Sequence, residues 1–271
     1  MKLWQIGRVI LHSELYWSFF LALTETWITP ENSATPAALC TIYSFSHTPR
    51  PSGRGGGTGL LISPMWSYQV LPLEHLARSA FELHAVTVTI PIKLSIVVIY
   101  RPPGPLRDFY DEMDALLSCF PEDGTPLVIL GDFNILPEKL HSPELTNFFA
   151  TFDLTLTPSP PTHRAGNQLD LIFTRSCGTS ALSVTPLPVS DHHFVDFSLP
   201  LKSSPPSSLV PTLSPLAVTS NPSLPLRLPL LFCLHFLLSN DSLNYLQMNL
   251  QTLCYPPSPP PGFPLSLPLQ T

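Results

Sequence analysis

Two short runs in this chain carry residue types that can do chemistry together. They are Gly131-Asp132-Phe133-Asn134 and Ser190-Asp191-His192-His193. Between them they hold two carboxylates, a carboxamide and two imidazoles. That set can hold a divalent cation and activate water against a phosphodiester. In the first run an apolar stretch, Leu127–Leu130, delivers Asp132 and Asn134 to its end, and residues two apart on extended chain share a face. The same pattern also suits an Asx turn after a strand. In the second run Asp191 can bind a cation or orient a histidine, and His192 can move protons near neutral pH. A polar turn before a strand reads equally well from those four residues. His192-His193 as a zinc pair finds no third or fourth ligand at suitable spacing.

Three further residues extend the set. Asp170 lies inside Leu169-Asp170-Leu171-Ile172, either as a strand's solvent-facing residue or as a carboxylate that orients an imidazole, with His192 as the partner. Glu25 closes the apolar run Phe19–Thr24, as a surface acid or as a hard oxygen ligand for Mg2+. Tyr100, before Arg101-Pro102-Pro103, can bond a phosphate oxygen or simply close a strand. The glycine run at residues 53–59 lacks the Gly-Lys-Ser/Thr ending of a phosphate loop. It reads as a tight turn or bulge leading into an edge strand.

These residues need strands to position them. Phe19–Thr24, Gly59–Ser63, Phe81–Ile90, Lys93–Tyr100, Leu127–Leu130, Leu169–Thr174 and Phe194–Leu199 read as strands, the third and fourth forming a hairpin. Asp108–Phe120 has an apolar stripe at helical spacing: Phe109, Met113, Leu116, Leu117 and Phe120. Ser142-Pro143-Glu144 is a helix start, followed by the apolar face Leu145, Phe148, Phe149 and Phe152. Many strands and few helices predict a sheet-rich, layered α/β fold.

Composition sets the limits. The 271 residues carry net charge −6 and 34 prolines. An acidic balance argues against tight non-specific nucleic-acid binding, yet fits a nuclease whose acids sit at a cation. Five scattered cysteines with no CxxC exclude a disulfide framework or zinc module and fit a reducing, intracellular setting. No apolar stretch reaches the roughly 20 residues of a membrane span, so no membrane partner is expected. From Ser203 onward the only charges are Arg227 and Asp241, among clustered prolines. The expected organisation is a divergent N-terminus over 1–20, a catalytic domain over 21–200, and a disordered Pro/Ser/Leu-rich tail over 201–271, with a short helix near Leu230–Leu238. Nothing in the sequence calls for an oligomer.

In order along the chain, Thr24-Glu25-Thr26-Trp27, Arg54-Gly55-Gly56-Gly57, Tyr100-Arg101-Pro102, Gly131–Asn134, Thr162–Asp170 and Ser190–His193 resemble the endonuclease/exonuclease/phosphatase superfamily. Within it, the chain is most similar to the apurinic-type endonuclease domain of non-LTR (LINE-like) retrotransposons. The resemblance runs from about Leu21 to Leu199. It implies a four-layer α/β sandwich, two packed mixed sheets flanked by helices, with the site at one end. It implies phosphodiester hydrolysis of DNA with Mg2+, Mn2+ being the alternative cation, in the nucleus if DNA is the substrate. Glu25 and Asp191 become metal-side residues and Asp132 the group that positions or deprotonates water. Asn134 and Tyr100 become phosphate ligands, and Asp170 and His192 a carboxylate–imidazole pair. The family's opening strand, with its Asn, has only a faint counterpart in Leu3-Trp4-Gln5-Ile6-Gly7-Arg8, where Gln replaces Asn. The first strand is therefore expected to be missing, in a truncated or decaying retroelement fragment. The alternative functions are an inactive retroelement-derived binding protein and a phospholipid or inositol phosphate hydrolase. The retroelement-like words argue against the last.

Overall fold

The structure is a computed structural model that describes residues 2–10, 18–40, 43–50, 55–76, 78–90, 92–187 and 190–201. All of them fall in one compact unit, Met1–His235. The expected tail, its helix near Leu230–Leu238, and Gly53 and Arg54 of the glycine run lie outside the described residues.

In chain order the elements are β1 Lys2–Ile10, β2 Ser18–Thr24, α1 Ala34–Leu39, β3 Ser44–Thr48, β4 Thr58–Ile62, β5 Ser67–Val70, β6 Glu82–Ile90 and β7 Leu94–Tyr100. They continue with α2 Arg107–Leu117, β8 Leu127–Asp132, α3 Pro137–Leu140, α4 Pro143–Ala150, β9 Thr155–Leu156, β10 Asp170–Arg175, β11 Ser180–Thr185 and β12 Phe194–Pro200. They build two six-stranded sheets, ordered β11-β12-β1-β2-β4-β3 and β5-β6-β7-β8-β10-β9. Each is mixed: β1 runs parallel to β12, β7 runs parallel to β8, and the other pairs are antiparallel.

The sheets face each other across one apolar layer. Phe20, Ala22, Leu60, Ile62, Val195, Phe197 and Leu199 come from the first sheet. Val86, Val88, Ile96, Val98, Val128, Leu130 and Ile172 come from the second. These residues recur with period two, as strands with one face inward require. The second sheet buries its outer face too. Leu83, Ala85, Val97, Ile99, Ile129, Leu171 and Phe173 meet Phe109, Met113, Leu116 and Leu117 of α2, Leu140 of α3, and Leu145 and Phe149 of α4. Burial on both faces explains why β7 and β8 read as continuous apolar runs rather than alternating ones. The expected α/β sandwich is the fold observed.

The helix signals act as their chemistry dictates. Ser142 caps α4 by accepting from Leu145 N at 3.3 Å, with Pro143 in the first turn. The α2 stripe is buried as its spacing demands.

Two expectations are corrected. The first strand is not missing. Lys2–Ile10 pairs with β2 on one side and β12 on the other, and Gln5 stands in register with Ala22 and Val195. Trp, Ile and Val in that stretch favour extended chain. Its parallel partner lies some 190 positions away, beyond any local pattern. The glycine run also does not lead into an edge strand, because β4 lies between β2 and β3. The turn itself is there, with Gly55, Gly56 and Gly57 at φ +80, +72 and +85.

Candidate active site

The site begins as a row of strand ends. Across the second sheet Glu82 pairs in register with Tyr100, Tyr100 with Asp132, and Asp132 with Asp170. The next row inward is His84, Val98, Leu130 and Ile172. Cross-strand partners share a face. The polar row therefore continues the apolar layer between the sheets to its edge, where β7 and β8 end and β6 and β10 begin. On the first sheet Thr24 and Thr58 hold the corresponding places, paired in register, with Glu25 next in sequence.

Gly131 makes the row possible. Its φ is +140, and a Cβ there would lie 1.9 Å from the Ile99 carbonyl oxygen. Only glycine lets β8 run so close to β7 and bring Asp132 level with Tyr100.

Asp132, Asp170 and His192 are at most 1 % exposed. Asp170 Oδ2 lies 2.8 Å from His192 Nδ1, and Asp132 Oδ2 lies 3.7 Å from His192 Nε2. The imidazole is thus held between two carboxylates, one on each ring nitrogen. The Asp170 bond fixes the orientation of the ring. His192 N also donates to Ser190 Oγ at 2.9 Å.

A stitched pair of loops carries this triad. Thr162 Oγ1 accepts from Leu169 N at 3.0 Å and Asp170 N at 2.9 Å. The Thr162 carbonyl accepts from His193 N at 2.6 Å, and Arg164 N donates to the Asp191 carbonyl at 2.7 Å. The edge of the His163 ring packs against His192, with centroids 4.9 Å apart. His163 Nε2 is 3.7 Å from Asp191 Oδ2. Burial is the main influence lowering the His163 pKa, followed by the charge of His192.

Tyr100 joins the two sheets chemically. Its phenol hydrogen-bonds Glu25, and burial first, then that bond and the charges of Glu25 and Asp132, hold its pKa well above the ordinary range. It stays a neutral O–H donor. The Arg50 guanidinium lies 5.8 Å from its ring centroid and pairs with Glu82, whose other oxygen accepts from Gly57 N.

The structure thus brings Asp132, Asp170 and His192 together, with Tyr100 next in register. Asn134 is beside them with φ +47, but its carboxamide is engaged. Its Nδ2 donates to the Arg101 carbonyl at 2.9 Å, and its backbone N donates to Asp132 Oδ1 at 3.1 Å. Asp191 groups with His163 and His192 instead of with Asp132 and Asp170, and Glu25 belongs to neither cluster among the described residues.

Sequence reasoning assigned no role to Arg101. It is 1 % exposed, and its Nη1 donates to the Phe133 and Asn134 carbonyls at 3.1 Å each. Nη2 donates to the carbonyls of Gly104 and Pro105. Together with the return bond from Asn134 it locks the loops after β7 and β8. Proline neighbours signalled a turn, and nothing signalled a buried guanidinium.

The donors fit a divalent cation. Two buried carboxylates around one imidazole leave net negative charge even when the ring is protonated, and such charge needs compensation. Asp170 Oδ1, Thr24 Oγ1 and Thr58 Oγ1 are buried at this end without a hydrogen-bond partner among the described residues. Carboxylate oxygens suit hard cations.

No curated relative matches this chain. Among solved structures, it is similar to an endonuclease/exonuclease/phosphatase from Beutenbergia cavernae at 20 % identity and TM-score 0.43, covering 58 % of this chain and 53 % of that one. A Neisseria 3′ phosphatase bound to a product DNA hairpin matches at 17 % identity and TM-score 0.46, over 64 % of this chain and 86 % of that one. A family protein from Leptotrichia buccalis matches at 12 % identity and TM-score 0.49, over 73 % of this chain and 99 % of that one. The sequence profile of the Endonuclease/Exonuclease/phosphatase family matches residues 6–192, from within β1 to His192 itself. This span covers well over half of the chain, which therefore belongs to the endonuclease/exonuclease/phosphatase family, whose chemistry is phosphodiester hydrolysis of the nuclease and phosphatase type with divalent metals.

Proposed function

We propose that this protein is a Mg2+-dependent DNA endonuclease of retroelement origin. The observation that carries the reading is the buried Asp170–His192 pair with Asp132 on the imidazole's far side. An imidazole oriented on one nitrogen can use the other on a phosphate oxygen or a proton. Asp132 would take the proton of a water attacking phosphorus, while Asp170 holds the His192 ring through Nδ1. Tyr100, a neutral donor, can pass its hydrogen bond from Glu25 to a phosphate oxygen. Glu25 would hold the cation, with Asp191 reaching it through water. Bound there, Mg2+ supplies charge stabilisation for the phosphorane-like transition state. The retroelement origin rests on the words Thr24–Trp27 and Thr162–Asp170.

The test is nicking of supercoiled plasmid with Mg2+ or with EDTA, comparing wild type, Asp132→Ala and His192→Ala. Metal-dependent nicking by wild type alone supports the proposal. Equal nicking by all three proteins refutes it. The inactive binding protein is the second reading, favoured by Gln5 where the family's strand carries Asn. Plasmid binding without nicking would establish it.

A further inference from the structure

The segment Glu25-Thr26-Trp27 is built at a cost. Glu25 and Trp27 both have left-handed backbone, at φ +47 and +56. For side chains of that size the left-handed region is unfavourable and persists only where the surroundings impose it. The glycine turn holds them there: Thr26 N donates to the Gly57 carbonyl at 3.1 Å and Trp27 N to the Gly56 carbonyl at 2.9 Å. Thr26 and Ile28 turn inward and are buried, while Trp27 remains 41 % exposed. Its indole lies over Gly55, where a Cβ would sit 3.6 Å from the ring. Indole Nε1 is 3.5 Å from Glu25 Oε2. The ring's polar edge is therefore tied to the carboxylate that bonds Tyr100, and part of its apolar surface faces solvent beside the site. Core packing explains none of this, because the strained backbone turns the ring outward.

We propose that Trp27 is a stacking platform for a nucleobase next to the scissile phosphodiester, so that the preferred substrate is DNA with an unpaired or frayed base there. This inference rests on the proposed endonuclease function and deepens it. Trp27 is two residues from Glu25, Glu25 bonds Tyr100, and Tyr100 is in register with Asp132. A base on Trp27 would thus flank a phosphate at Asp132 and His192. Electrostatics strengthens the argument. With Glu25, Asp132, Asp170 and Asp191 around the site, this acidic protein draws little affinity from phosphates. Stacking on an aromatic ring supplies affinity that needs no positive charge and tolerates any base.

The test compares two fluorescein-labelled single-stranded 12-mers in metal-free buffer, one with bases and one with tetrahydrofuran abasic residues throughout. Binding is read by anisotropy for wild type, Trp27→Phe and Trp27→Asn. Asparagine accepts the left-handed backbone, so this variant removes the ring without adding strain. Circular dichroism melts confirm that it is folded. Wild type is expected to prefer the base-bearing strand by about 5- to 150-fold, the equivalent of one stacked base. Trp27→Phe should keep most of that preference, and folded Trp27→Asn should bind both strands alike. Equal preference in wild type and Trp27→Asn overturns the inference and leaves the endonuclease reading intact. A wild type that neither binds these strands nor nicks plasmid overturns both.

Discussion

His84 offers a test of the sandwich whose size follows from the structure. It lies in β6, one row inward from Glu82, and is 2 % exposed. Its Nδ1 meets Thr48 Oγ1 at 2.9 Å and its Nε2 meets Ser46 Oγ at 2.8 Å. Both partners belong to β3, so this one side chain joins the two sheets beneath the active end. His47 is the titratable neighbour that acts on it, and Glu74 and Arg78 line the same small cavity. Burial, and secondarily His47, push the His84 pKa from 6.5 down to about 4. Between those values the unfolded chain takes up a proton that the folded chain refuses, so stability rises with pH across this window. The contribution is fully present above pH 6.5 and is lost as pH falls toward 4. Linkage gives a loss of about 2 kcal/mol between about pH 7.5 and pH 5, and about 3 kcal/mol below the folded pKa.

The perturbation is His84→Gln, which cannot ionise. Urea unfolding gives the stability gap between wild type and variant at each pH. Lost packing makes the variant weaker at pH 7.5, but the gap should narrow by about 2 kcal/mol at pH 5, because only the wild type carries a histidine that must stay neutral. A gap that is the same at both pH values would refute the reasoning, since His84 would then titrate alike folded and unfolded. An imidazole carbon resonance of His84 that titrates near pH 6.5 in the folded protein would do the same.

Asp170→Asn should lower kcat for plasmid nicking by about 10²- to 10⁴-fold with little change in KM, because a neutral amide that can also present a donor replaces the carboxylate that orients His192 and stabilises its charge. Steady-state kinetics on folded variant check this. Arg101→Met strips four backbone carbonyls of their donor and should cost about 3 kcal/mol or more by urea midpoint, with the loops after β7 and β8 becoming the first protease-sensitive sites. Ser142→Ala removes the α4 cap and should cost about 1 kcal/mol with nicking unchanged.

Much of the site was legible because its residues sit where strands stop. Asp132 follows an apolar run, Asp170 opens one, and Ser190–His193 precedes one. Strand ends are marked locally by a change from apolar to polar residues. What the sequence concealed is what depends on distant partners. The strand β1 could not be recognised from nine residues when one of its neighbours, β12, lies at the far end of the domain. Arg101 looked like a residue of a proline turn because the four carbonyls it satisfies come from two loops about thirty positions apart. Asn134, expected as a phosphate ligand, also forms half of that lock through its Nδ2. Its place beside Asp132 was readable, but its bond to the Arg101 carbonyl was not.

The same division bears on how the site responds to strain. Tyr100 and Asp132 belong to the second sheet, while Glu25 extends from the first, so the Tyr100–Glu25 bond crosses the gap between the sheets. His84 crosses the same gap one row inward, through Ser46 and Thr48. The Arg50–Glu82 pair, with Glu82 accepting from Gly57 N, lies in the same row as Tyr100. These contacts share one geometric requirement, the spacing of the sheets at this end. A proton on His84 weakens the inner contact first and so loosens β3 against β6 next to the outer contacts. The acidic limb of the nicking profile should therefore lie higher in pH in a variant that loosens this spacing, such as Thr48→Val, than in wild type. Glu25 and Tyr100 are unchanged in such a variant. A shared acidic limb would mean that the sheets hold their spacing without His84.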